Sequence, residues 1–99
     1  MVTLKDAIEA AQTDLRVLSK EGINMVYPLG MVSGVLSSLP EGGDAPILLA
    51  KDICEALVDR AHRADDDGDA VLAERLRCIN RSLSPVVAAS HRLLRERGL

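Results

Sequence analysis

The sequence predicts an all-α fold, an antiparallel helical hairpin or bundle of three to five helices made by a single domain of 99 residues. Three observations lead there. Leu72, Leu76, Ile79, Leu83, Val86 and Leu93 recur at alternating steps of four and three, with Ser90 in the one polar slot, which is the spacing of a helical seam and not of a strand. Tyr27 is the only aromatic residue, and Ala, Leu and Val cores pack between helices, where sheets draw on aromatic and β-branched side chains. Helix start and stop signals punctuate the remainder.

The first helix is predicted over 3–21. Thr3 caps it and Asp6, three residues on, answers the reciprocal donor and sits where the helix dipole favours an anion. Leu4, Ile8, Ala11, Leu15 and Leu18 form its inner stripe. Gly22 terminates it, and Pro28 pushes Tyr27 toward extended backbone, so a second helix is predicted over 28–39. Against a clean break, the heptad phase runs on through Met25, Leu29, Val32, Leu36 and Leu39, which fits one kinked helix equally well. Gly30 and Gly34, four apart, either relieve crowding inside the core or let a partner's backbone cross closely; the first reading is the plainer one.

Pro40 to Pro46 reads as a loop, with Asp44 or Ala45 capping a third helix over 46–66 and Pro46 in its first turn. Its inner face, Ile53, Leu57, Ala61 and Ala64, narrows to alanine toward Asp65, so it should pack antiparallel on the helix that follows. That helix begins at 69. Ser84-Pro85 divides the predicted spans 69–83 and 85–97, but the continuing seam favours one kinked rod, roughly 43 Å long at ~1.5 Å per residue. A rod that long in so small a chain needs a partner along its length.

Charge and cysteine content narrow the function. Residues 1–74 carry fourteen acids against six bases, while residues 75–99 carry six Arg against Glu96 alone. Arg forks onto carboxylates and phosphates, so Arg92, Arg95 and Arg97 are candidate contacts for an anionic partner, an acidic protein face or nucleic acid. Net acidity, the acidic turn and the lack of aromatic stacking platforms place nucleic acid second. Two cysteines without a charged-then-apolar leader predict a cytoplasmic setting, and no apolar run is long enough for a membrane.

Candidate chemistry is sparse. Asp65, Asp67, Gly68, Asp69 and Glu74 match places of the EF-hand calcium loop, but Arg63 stands where the first Asp ligand belongs, so a polar turn with Asp69 as the next cap is predicted instead. Cys54 and Cys78 fall at one level of the predicted hairpin and are read as separate thiols. His62 and Asp66 share a helix face without a third ligand, and adjacent Ser90 and His91 point apart. Arg75, Arg77 and Arg81 opposite Glu55 could mimic an anion-binding enzyme site, yet read as easily as ion pairs. No enzyme, metal or cofactor is predicted. The reading is a small regulatory or adaptor protein that dimerises and occupies a target protein's surface. Its interface would use Leu72, Leu76, Ile79, Leu83, Val86 and Leu93 with Met25, Leu29, Val32 and Leu36.

Overall fold

A computed structural model describes residues 3–41 and 45–96. Four helices run α1 (Leu4–Lys20), α2 (Val26–Ser38), α3 (Ala45–Asp66) and α4 (Ala70–Glu96), with a 3-10 turn at Leu39–Glu41. The short connections reverse the chain each time, and α1 closes the ring by packing on α4. The molecule measures 44 × 22 × 21 Å, its length set by α4. Among the described residues there is no strand, and no helix is long and apolar enough to cross a membrane.

Local chemistry sets the ends. The Asp6 amide donates to Thr3 Oγ1 at 3.1 Å and the Thr3 amide donates to Asp6 Oδ2 at 3.4 Å, the reciprocal cap expected of this pair. Gly22, at φ +90°, closes α1: its amide donates to the Ser19 carbonyl at 3.0 Å and that of Ile23 donates to the Leu18 carbonyl at 3.1 Å. Gly68, at φ +81°, closes α3 in the same manner, with Asp69 N–H on the Ala64 carbonyl at 2.8 Å. Asp69 then starts α4 by accepting from the Leu72 amide at 3.1 Å. Nothing lies within 4 Å of a Cβ added at Gly68, so Gly68→Ala meets only the backbone penalty. It should lower unfolding free energy by about 1–2 kcal/mol in a urea titration.

The two prolines behave differently. Pro28 falls in the first turn of α2, where an amide would have no helical acceptor, so the chain breaks ahead of it and α2 starts at Val26, two residues earlier than predicted. Pro85 lies inside α4, which continues unbroken as one helix in place of the separate spans 69–83 and 85–97. The cap expected from Asp44 and the contact expected of Arg97 lie outside the described residues.

Four apolar faces meet in one core. It holds Ile8, Leu15 and Leu18 of α1, Val32 and Val35 of α2, Ile53 and Leu57 of α3, and Leu76 and Leu83 of α4, with Met25 at the α2 entry. No charged or polar residue of the described set is buried there. Ala61 and Ala64 are buried beside the α3–α4 turn, where small side chains let the two helices converge. The one blemish is Asn80, whose Oδ1 is buried without a hydrogen-bond partner among the described residues.

This core corrects the expectation that α4 needs a second copy to cover its seam. Leu72, Leu76, Ile79 and Leu83 are buried by the chain's own helices, as are Met25 and Val32. Beyond Pro85 the seam slides: Val87 is buried, Val86 only partly, and Leu93 is 54% exposed. A helix of 3.6 residues per turn drifts ~20° per heptad against a strict seven-residue repeat, which rotates the last seam positions out of the core. In α2 the inner face is Pro28, Val32 and Val35, leaving Leu29 and Leu36 partly buried, because the helix restarts at Val26 and does not inherit the phase of α1.

Candidate functional site: the uncharged face of α2

Every residue from Gly22 to Pro40 is uncharged, in a chain of which 27% is charged. A helix without a single charge is more usual inside a protein, yet α2 lies on the bundle's surface, packed on α1 and α3. Its outer side leaves Val26 77% and Tyr27 71% exposed, with Gly30, Ser33 and Ser37 exposed along the same side. Tyr27, the chain's only aromatic side chain, thus stands in solvent.

The two glycines sharpen this. A Cβ placed at Gly30 or Gly34 meets nothing within 4 Å, so neither relieves crowding in the chain's own core, and the plainer sequence reading is overturned. Each costs α2 about 1 kcal/mol relative to alanine, without return inside the monomer. The alternative reading, room for another backbone, is the one that fits the open space.

Between α2 and α3 runs an open groove of about 990 Å³. Val26, Tyr27, Pro28 and Met31 line it from α2, and Asp52, Glu55, Asp59, Arg60 and Arg63 from α3. Among the described residues none of these five charged side chains has an opposite charge within 4.0 Å. Sequence reasoning missed this face by counting α2 into a heptad seam. The signal was present in the absence of charge.

The other candidates are placed differently. Arg75 forks onto Glu21 at 3.0 and 2.5 Å, Arg77 pairs with Asp65, and Arg81 pairs with Glu74. Glu55 meets none of them, so the anion site imagined across the bundle is not assembled. The Arg75 fork holds the Glu21 carboxyl below its ordinary value, and Arg81 does the same to Glu74. Each depressed carboxyl favours the fold above the ordinary carboxylate range and loses that contribution as pH falls through the lowered pKa. Both pairs are exposed to solvent and weak.

Arg92 and Arg95 are exposed, with no carboxylate within 4.0 Å among the described residues. In the acidic turn, Asp65 is held by Arg77 and Asp69 by the α4 cap. Among the described residues no three His, Cys, Asp or Glu side chains are placed to share a metal ion. Cys54 and Cys78 are free thiols in separate grooves, Cys54 between α3 and α4 and Cys78 between α1 and α4. Burial raises the pKa of the Cys54 thiol, with Glu55 adding to the effect. Leu18, Ile79 and Val71 line the Cys78 groove, a second and smaller apolar opening of about 630 Å³.

No protein-family model matches the sequence, and neither a curated protein nor a solved structure matches the chain.

Proposed function

We propose that this chain is a small regulatory or adaptor protein without chemistry of its own, which dimerises and controls a target protein by occupying its surface in the cytoplasm. The observation that carries the reading is the outer face of α2, uncharged from end to end and unused by the chain's own core. Exposed Tyr27 supplies an aromatic anchor of the kind that dominates binding energy at protein interfaces, with exposed Val26 beside it. The two free thiols agree with a reducing compartment.

Gly30→Arg tests it without endangering the fold, because the position is open and arginine is the better helix former. Immobilised wild-type chain should retain one or more proteins from its native cell extract, and Gly30→Arg should lose them. Val71→Arg, a substitution on the opposite side of the bundle, should retain them. Retention indifferent to Gly30→Arg would contradict the reading. A second reading, nucleic-acid binding, draws on the unpaired Arg92 and Arg95 and predicts instead a salt-sensitive shift of duplex DNA that Arg92→Ala with Arg95→Ala removes.

A further inference from the structure

We infer that the α2 face, taken as the contact surface just proposed, receives the same face of a second copy of this chain, with the two α2 helices antiparallel and crossing at Gly30–Gly34. The argument starts from charge order along α3. On the groove side, Asp52 and Glu55 come first and Arg60 and Arg63 follow. Asp52 and Arg63 bracket the same midpoint as Glu55 and Arg60, between Leu57 and Val58. These four residues therefore form a palindrome with its sign reversed, while Asp59 and Asp67 of the same groove have no charged mirror position.

A two-fold axis perpendicular to the helices inverts one copy along its length and lays each residue opposite its mirror position. Asp52 then faces Arg63 of the second copy, and Glu55 faces its Arg60. Each pair occurs twice in the dimer. Asp59 falls opposite Ala56 and Asp67 opposite Leu48, so no two like charges fall at directly opposed positions. A parallel pairing would instead set each acid beside the same acid, which is unfavourable.

The same axis explains the glycines. In the groove, Asn24 just before α2 and Asp67 just after α3 mark one end, so the midpoint of the charge row lies about ten residues along the chain from Asn24, in the Gly30–Gly34 segment. Without Cβ atoms there, the two α2 backbones approach closely at the crossing. Toward the flanks, Val26 and Tyr27 of each copy reach past the crossing onto the far end of the partner's α2. An uncharged face also makes an unusually favourable partner for itself, because neither copy leaves a charge stripped of water against it.

Sedimentation equilibrium of the full chain, from low to high micromolar, tests the inference through charge exchange. Wild type should dimerise, and Gly30→Arg should be monomeric with undiminished helix content. Glu55→Arg alone, and Arg60→Glu alone, should each weaken the dimer by about tenfold or more, since each sets two like pairs across the axis. Combining Glu55→Arg with Arg60→Glu should restore it. A double variant no tighter than either single one overturns the antiparallel pairing. A dimer that survives Gly30→Arg but is lost in Val71→Arg overturns the choice of face. A chain that is monomeric throughout, while still capturing a target through Gly30, overturns self-association, the dimer of the proposed function included, and leaves only the target contact standing.

Discussion

Leu76→Ala should lower the free energy of unfolding by about 2–5 kcal/mol in urea or thermal titrations of the monomeric Gly30→Arg background. Leu76 is fully buried between the helices of its own chain, and the truncation leaves a cavity that close-packed neighbours fill only in part. In a domain whose whole stability is about 5–15 kcal/mol, that is a large share. Leu93→Ala should stay within about 0.5 kcal/mol, since Leu93 is 54% exposed at the end of the same seam. The contrast separates two origins of one sequence pattern. Comparable losses at both positions in a monomer would mean that the seam is not divided as described.

Pro85→Ala should act in the opposite direction and stabilise the chain by about 1–3 kcal/mol. Pro85 is exposed inside a continuous helix, so the Arg81 carbonyl lacks the amide that would ordinarily donate to it. Alanine returns that donor and removes the ring from the preceding turn. Greater freedom of the unfolded chain offsets about 0.4–1 kcal/mol of the gain. The expected result is a higher melting temperature with unchanged helix content. A loss of stability would show that α4 depends on Pro85 for its packing along the bundle.

How much was legible follows the range of each interaction along the chain. The caps at Thr3 and Asp69 were readable because each side chain meets an amide three residues away. The glycine stops at Gly22 and Gly68 were readable for the same reason. Leu72 to Leu83 were identified correctly as a helical seam but assigned to the wrong partner, because periodicity says that a face is covered and not by whom. The exchange of Val86 for Val87 came from extending a strict heptad along a helix that does not supercoil enough to keep it. The fork between Arg75 and Glu21, 54 residues apart, had no local signal at all. The α2 face was legible in composition, yet a gap that preserved phase across Gly22–Met25 hid it within a longer apolar stripe.

Amide hydrogen exchange measured across a concentration series puts the account to its most direct test. Residues 72–83 of α4 should be strongly protected even at the lowest concentration, because their own chain covers them. Protection in α2, over Val26–Ser38, should rise as the chain is concentrated and should not rise in Gly30→Arg. Protection that grows with concentration along 72–83 while α2 stays unchanged would contradict the account and return the interface to the α4 seam.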